Sequence, residues 1–163
     1  MTYRSLTVAD LDQIRTIEAD VYIAPLLVSD EAFLRLMELF PDGAVGAFDA
    51  QGLCGYAFGV PVVSGMTLDL QVPLAEIPAA ADVFYVHDVA VAARCRGRGI
   101  GRVLATRLLD VARRARFTRA ELVSVQGSHP FWERFGFRTV RQFDYAPGAP
   151  SRVMVAELER PQR

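Results

Sequence analysis

Hydrophobic residues follow two spacings along this chain, and each spacing predicts a different kind of element. Apolar positions three or four residues apart predict amphipathic helices. The first predicted helix has start signals at Thr7 and Asp10, the second begins at Ser29, and the third follows a glycine-rich turn. Their apolar faces carry Leu11, Ile14, Ile17 and Val21 in the first helix, Phe33, Leu34, Met37 and Phe40 in the second, and Ile100, Val103, Leu104, Leu108 and Val111 in the third.

Shorter runs rich in β-branched and aromatic residues predict seven strands. These cover residues 3–8, 44–48, 53–62, 82–91, 120–125, 138–143 and 152–158, and a short helix is predicted from Pro130. The turn DAQG predicts an antiparallel hairpin of the second and third strands, and residues 64–81 predict a long irregular connection. The order of elements predicts an α/β fold. Its mixed, mostly antiparallel central sheet has about seven strands, is flanked by about four helices and contains one parallel pair across the third helix.

Length and composition restrict the class of protein. At 163 residues the chain fits one domain, 1–163, and its 52% hydrophobic content is that of a globular protein. The net charge of −1 gives no electrostatic reason to expect nucleic acid or an anionic membrane as a partner. The first residues lack a signal-peptide pattern and no apolar run reaches the ~20 residues of a membrane span, so a cytoplasmic protein is the default expectation. Cys54 and Cys95 have neither metal nor redox spacing.

The stretch CRGRGIGR, residues 95–102, joins the fourth predicted strand to the third helix. Unpaired N–H groups and the positive end of the helix dipole meet at such a helix start, and missing side chains let a phosphate approach the backbone. Its pattern matches neither the dinucleotide fingerprint G-x-G-x-x-G nor the Walker loop. We interpret the turn as a phosphate-binding site, the alternative being a tight turn in an arginine-rich surface. The residues concerned are Gly97, Gly99 and Gly101, which leave the turn bare, and Arg96, Arg98 and Arg102, which add charge.

Two longer stretches carry a family resemblance. The stretch VHDVAVAARCRGRGIGRVLATRLLDVA resembles the acyl-CoA-binding core of the GCN5-related N-acetyltransferases (GNAT), with Arg96, Gly99 and Gly101 filling the signature R/Q-x-x-G-x-G/A. The stretch LVSVQGSHPFWERFGF resembles the next strand of that family and its closing helix. The resemblance implies the GNAT fold, in which the parallel strands at 82–91 and 120–125 splay apart.

The resemblance also implies where acetyl-CoA would bind. The turn would hold the pyrophosphate, the end of the preceding strand would pair with the pantetheine arm, and a bulge amide near Val89 would polarise the thioester carbonyl. No metal is expected. The residues expected to bind the coenzyme are Val89, Ala90, Val91, Arg96, Gly97, Arg98, Gly99, Ile100, Gly101, Arg102, Ser128, His129 and Trp132.

The residue that moves protons does not follow from the resemblance, because Trp132 occupies the position of the family's frequent general-acid tyrosine. An indole cannot act as an acid near neutral pH. His87 is predicted as the general base because its reference pKa is close to working pH, with a packed structural histidine as the alternative. Regular alternation would place His87 and Asp88 on opposite faces of their strand. Asp88 and Tyr145 are the other catalytic candidates, and each has a structural alternative.

Together these features predict an acetyl-CoA-dependent N-acetyltransferase that acetylates a primary amine by direct transfer in a ternary complex. A non-catalytic acyl-CoA sensor of the same fold is the main alternative, and the net charge disfavours a nucleic-acid contact domain. The acceptor is expected near residues 22–39 and 64–81. An amino acid, an aminoglycoside, a polyamine and a protein N-terminus all remain open as acceptors, and a homodimer remains open as the assembly.

Overall fold

One seven-stranded sheet organises residues 1–159, which are the residues that this computed structural model describes. In the order β1-β2-β3-β4-β5-β7-β6, all neighbours are antiparallel except β4 and β5, so the predicted fold class is confirmed. The strands are β1 (Thr2–Ser5), β2 (Ala44–Asp49), β3 (Gly52–Val62), β4 (Val83–Val91), β5 (Arg119–Val125), β6 (Arg138–Asp144) and β7 (Pro150–Glu157). The helices are α1 (Leu11–Val21), α2 (Asp30–Leu39), α3 (Ile100–Arg114) and α4 (His129–Glu133). Within the described part of the chain, no helix is long and apolar enough to cross a bilayer.

The first strand ends earlier than its sequence pattern predicts. It stops at Ser5 instead of continuing to residue 8, and a short 3-10 helix precedes α1. The cause is the buried carboxylate of Asp10, which accepts hydrogen bonds from the Thr7 N–H and from the Arg4 guanidinium, both at 2.8 Å. These bonds fix a helix start where the hydrophobic alternation alone would continue the strand.

Different helices cover the two faces of the sheet. On one face α3 contributes three leucines that are at most 2% exposed, Leu104, Leu108 and Leu109. Val103 was predicted on this buried side but is 38% exposed, because it lies about 100° around the helix from its neighbour Leu104. On the other face the ring of Phe33 in α2 packs against those of Tyr56 and Phe58, with centroids 5.9 and 4.9 Å away. Burial of each such side chain contributes about 1.5–3 kcal/mol.

A β-bulge in β4 changes which side chains share a face of the sheet. Two consecutive residues of β3 pair with Asp88 and Val86, so His87 between them has no Cα partner. The bulge shifts the alternation by one position, and Asp88 therefore shares the face of Tyr85. The expectation that His87 and Asp88 lie on opposite faces is wrong, since Asp88 contacts a tyrosine on the α2 side and His87 lines a cavity on that same side.

The parallel strands β4 and β5 are paired over a short length only. Their Cα partners run from Phe84 with Ala120 to Val86 with Leu122, although both strands continue beyond these residues. The predicted splay is confirmed. Because the strands separate after the bulge, backbone groups that would close a sheet are left facing a gap.

Candidate active site

A cleft of about 290 Å³ occupies the gap between the diverging ends of β4 and β5. Tyr22, which follows α1, and Tyr145, which follows β6, border the cleft, and Gly101 of α3 lines it as well. Because Gly101 lies in the first turn of α3, a long ligand can lie along β4 with one end at the start of this helix. The walls contain Val89 and Val91 of β4, Val123 and Val125 of β5, and Phe131 and Trp132 of α4.

Strand β4 directs main-chain groups into this cleft. The Ala92 N–H donates to a carbonyl of β3 at 2.8 Å, and alternate residues of a strand point these groups to the same side. Ala90 therefore also faces β3, whereas the N–H and C=O groups of Val89 and Val91 face the cleft. In agreement, the Val89 carbonyl accepts a hydrogen bond from the Tyr22 hydroxyl at 3.2 Å. Of the three strand residues predicted to pair with a ligand, Val89 and Val91 are the two whose backbone is available.

The glycine turn, residues 96–102, exposes backbone amides at the start of α3. Gly97 and Gly99 have φ values of 74° and 73°, and a Cβ added to either would meet no atom within 4 Å. Backbone conformation, not crowding, therefore requires glycine at both positions. Gly99 is the N-cap and no side chain caps this 15-residue helix, so its first N–H groups are free to bind an anion. Ile100 is 3% exposed and anchors the turn in the core.

Positive charge accompanies these free amides. Arg96 and Arg102 are exposed beside the turn, and Arg98 lies 3.4 Å from the Asp49 carboxylate, which also binds Arg94 at 2.8 Å. Hydrogen bonds led by that of Arg94 hold the pKa of Asp49 well below its usual range. The turn thus combines unpaired amides with several guanidinium groups, an arrangement that suits a diphosphate better than a single carboxylate.

Cys54 and Cys95 come together next to the turn, which their spacing in the sequence did not predict. Their sulfur atoms and a carboxylate oxygen of Asp49 all lie within 4.8 Å of one another. Burial raises the pKa of the Cys54 thiol to about 12, which favours its protonated form. The Asp49 carboxylate is already engaged by two arginines. We interpret the cluster as packing that supports the turn.

Asp88 lies in the cleft between two tyrosine hydroxyls. Tyr22 donates to its Oδ1 at 2.6 Å and Tyr56 donates to its Oδ2 at 3.0 Å. Burial raises the pKa of Asp88 to about 6, although both hydrogen bonds oppose the rise. A carboxyl group with this pKa can accept a proton near neutral pH and release it again.

Glu18 of α1 is a second buried carboxyl group near Asp88. Its Oε1 accepts a hydrogen bond from the Val28 N–H. Burial, together with the charge of Asp88, raises the pKa of Glu18 to about 7. Sequence reasoning missed both this glutamate and the two tyrosines around Asp88. The available signal was that Glu18 falls four residues after Ile14, on the apolar face of α1, where a charged residue needs an explanation.

His87, the predicted general base, lies between the cleft and a second cavity. Burial lowers its pKa to about 4, so the imidazole is neutral at physiological pH. Its ring centroid lies 6.1 Å from that of Tyr85. The reason for choosing His87, a pKa close to working pH, does not hold in the folded protein because desolvation disfavours the imidazolium form.

The other predicted site residues have different positions relative to the cleft. Ser128 and Trp132 line it, whereas His129 begins α4 and is half-buried outside the cleft wall. Tyr145 lines the cleft and donates to the Leu68 carbonyl at 2.8 Å. Burial raises the pKa of Tyr145 to about 12, which makes this hydroxyl a poor acid near neutral pH.

The buried carboxyl groups lead to a prediction about stability. Folding raises the pKa of Glu18 to about 7 and that of Asp88 to about 6, so the folded state binds more protons than the unfolded state. Their stabilising contribution is complete below the unfolded-state pKa values and is lost as the pH rises through the folded-state values. Folding also lowers the pKa of His87 from 6.5 to about 4, and this acts in the opposite direction because the unfolded state then gains the extra proton as the pH falls. The two carboxyl groups together outweigh this single group, so we expect the Tm to rise modestly as the pH is lowered from about 8 to about 5. Thermal unfolding at several pH values measures this.

Glu18→Gln should flatten the pH dependence and raise the Tm at about pH 8, by about 2–4 °C for each kcal/mol recovered. Glu31→Gln, which changes an exposed glutamate of α2, serves as the matched control and should leave the slope as it is. Identical pH dependence of the Tm in Glu18→Gln and wild type would show that Glu18 is not held in the folded protein as described.

Solved structures share this fold. Ard1 from Thermoplasma volcanium is 15% identical, with 98% of each chain covered and a TM-score of 0.77. Naa20 from Chaetomium thermophilum, solved with a bisubstrate analogue, is 21% identical, with 98% of this chain and 88% of that chain covered and a TM-score of 0.74. The GNAT-like decarboxylase GphF, in complex with isobutyryl-CoA, is 18% identical, with 98% and 100% covered and a TM-score of 0.78. At these identities the likeness shows the fold alone.

No curated protein is significantly similar to this chain in sequence. The sequence model of the acetyltransferase (GNAT) family, however, matches residues 11–137. This span begins with α1, ends just after α4 and includes the bulged strand, the glycine turn and the cleft between them. The resemblance found in the sequence is therefore confirmed, and the chain belongs to the GNAT acetyltransferase family, whose fold supports acyl transfer from acyl-CoA.

Proposed function

We propose that this protein is an N-acetyltransferase that uses acetyl-CoA to acetylate a primary amine by direct transfer in a ternary complex. The observation that carries the proposal is the continuity of the site. Main-chain groups of Val89 and Val91 open onto a cleft that reaches an uncapped helix start flanked by arginines. Coenzyme A has a diphosphate for such a helix start and an arm with two amides for such a strand.

The donor would lie along β4. Its pyrophosphate would bind the N–H groups of residues 97–102, with the arginines of the turn beside its charges. Its pantetheine arm would pair with Val89 and Val91, and Ser128 and Trp132 would cover the arm from the side of α4. The Val89 N–H would then be placed to stabilise the oxyanion that forms on the thioester carbonyl.

Asp88 is proposed as the general base. Its carboxylate takes one proton from the ammonium group, and the neutral amine then attacks the thioester carbonyl. As the C–S bond breaks, the second amine proton passes to the sulfur. The Tyr22 hydroxyl is bonded to both Asp88 and the Val89 carbonyl, so it connects the base to the expected position of the thioester. Neutral His87 is the second candidate base, and Tyr145 is proposed to shape the acceptor end.

A non-catalytic acyl-CoA sensor is the second candidate function. Trp132 favours it, because related enzymes often carry their general-acid tyrosine at this position. The buried contact of Asp88 with Tyr22 favours an enzyme, since a sensor has no need for a carboxyl group whose pKa is raised towards neutrality.

Thiol release from acetyl-CoA in the presence of a panel of amines tests the choice. We expect release that requires both the protein and an amine. Coenzyme A binding in calorimetry without amine-dependent release would support the sensor instead. If calorimetry detected no coenzyme A binding at all, both functions would be wrong.

A further inference from the structure

A second cavity, of about 240 Å³, lies on the other side of His87 from the cleft. It is open to solvent on one side and lies between α2 and the segment that joins β3 to β4, residues 63–82, which we call the cover segment. His87 lines both spaces and lies between them, so a molecule bound in the cleft would reach the second cavity by passing this side chain. The lining is mainly apolar and includes Ala32, Leu36, Met66, Leu68, Val72 and Leu74.

Hydrogen bonds hold the cover segment against the rest of the molecule. Three of its carbonyls, those of Leu68, Leu70 and Leu74, accept bonds from Tyr145, Ser29 and Arg35 at 2.8, 2.9 and 3.2 Å. The second cavity is therefore largely formed before any ligand binds, and a preformed site has a lower entropic cost of binding.

Among residues 1–159, the charged side chains that line the cleft and the second cavity are acidic. All 18 strongly basic residues of the chain are arginines, yet within residues 1–159 none of them lines the cleft or the second cavity. The acidic groups are Asp88 in the cleft and exposed Asp69 at the second cavity, where Asp69 accepts hydrogen bonds from the N–H groups of Gln71 and Val72. Arg35 lies at the edge of the second cavity, but its guanidinium is engaged by the carbonyls of Leu74 and Ala75 and by the carboxylate of Glu38. A ligand carboxylate or phosphate would therefore have to compete for this cation and would be repelled by Asp88.

These observations narrow the acceptor and rest on the proposed acetyltransferase activity. We propose that the acceptor is a primary amine with an apolar substituent and no anionic group, whose ammonium binds at Asp88 while the substituent occupies the cavity beyond His87. The chemistry remains the transfer described above: the N–C bond forms, the C–S bond breaks, and the two amine protons leave to Asp88 and to the coenzyme sulfur. Amino acids are thereby disfavoured as acceptors.

A matched pair of amines tests the charge argument. 2-Phenylethylamine and L-phenylalanine differ only by a carboxylate. We expect kcat/KM to be about 100-fold or more higher for 2-phenylethylamine, because this is the usual cost of a buried charge that has no partner. Ethanolamine, which lacks the apolar group, should be poorer than 2-phenylethylamine by about tenfold or more. 1,4-Diaminobutane should also be poorer than 2-phenylethylamine, because its second ammonium would leave water for a mainly apolar lining, where the Asp69 carboxylate is exposed and already accepts two N–H bonds.

Two variants test the location. Ala32→Leu adds volume within the cavity, and Thr67→Phe adds it at the exposed rim, so that a folding defect in the first leaves the second informative. Each should raise the KM for 2-phenylethylamine about tenfold, the scale of a misfit in a hydrophobic pocket, without changing coenzyme A affinity. Ala19→Leu on the exposed side of α1 is the matched control and should change neither.

The outcomes separate the inference from the proposed function. Efficient use of L-phenylalanine, or a preference for 1,4-diaminobutane, would overturn the inference while leaving the acetyltransferase activity intact. Unchanged kinetics in both cavity variants would do the same. Coenzyme A binding without turnover of any amine would overturn the proposed function, and the inference with it.

Discussion

Asp88→Asn is expected to lower kcat/KM for the amine by about 10²–10⁴-fold, the range for loss of a general base, with coenzyme A affinity unchanged. Asparagine keeps the shape of the side chain but cannot take a proton from ammonium. The variant should fold, because it removes a buried charge and because the Tyr22 hydroxyl keeps the Val89 carbonyl, 3.2 Å away, as an acceptor. Steady-state kinetics together with calorimetry measure the two parts of this expectation.

The pH dependence gives a second test of the same residue. The rate should fall as the pH is lowered through about 6, since Asp88 must be ionised to accept a proton. Tyr22→Phe removes a donor that stabilises the carboxylate, so the pKa of Asp88 rises and the acidic limb of the profile should move to higher pH. If Asp88→Asn keeps the wild-type rate while His87→Asn loses activity, His87 and not Asp88 is the general base.

Gly99→Ala is expected to weaken coenzyme A binding by about 5–30-fold. At a φ of 73° an alanine is destabilised by about 1–2 kcal/mol, and the turn can relieve this strain by moving away from the conformation that aims its amides outward. Coenzyme binding must then restore the strained conformation, and 1–2 kcal/mol corresponds to about that change in Kd. Isothermal titration calorimetry with coenzyme A measures it, and kcat/KM for acetyl-CoA should fall in parallel.

Gly65→Ala is the control that separates the effect of backbone strain on the Tm from its effect on coenzyme A affinity. Gly65 also has a positive φ, of 81°, and a Cβ added to it would meet no atom within 4 Å, but it lies in the cover segment. Gly65→Ala should lower the Tm by about 2–4 °C for each kcal/mol of strain, Gly99→Ala should lower it by less because its turn can relax, and Gly99→Ala alone should weaken coenzyme A binding. Equal coenzyme A affinities in Gly99→Ala and wild type, with an unchanged Tm that shows the turn has relaxed, would mean that the glycine turn does not hold the diphosphate.

Features with local causes could be predicted from the sequence. Spacing of apolar residues located the helices and strands within a few residues, because this spacing follows the helical and extended periods directly. The glycine turn could be located for the same reason, since Gly97 and Gly99 act through their own backbone angles. Errors arose where a contact overrode the local pattern, as when the buried Asp10 carboxylate ended β1 early.

The acceptor side of the site depends on packing between distant segments. Glu18, Tyr56 and Asp88 come from α1, β3 and β4, and no spacing in the sequence brings them together. The bulge at His87 follows from how β3 and β4 pair. It places Asp88 on the opposite face of β4 from the one that regular alternation predicts.

The sequence by itself determined the family, the order of elements and the position of the glycine turn that we propose to hold a diphosphate. Only the tertiary structure decided which side chain can carry a proton there. The physical reason is that a pKa depends on desolvation by residues far away in the chain: burial lowers the pKa of His87 to about 4 and raises that of Asp88 to about 6. The reference values alone would have assigned their roles the other way round.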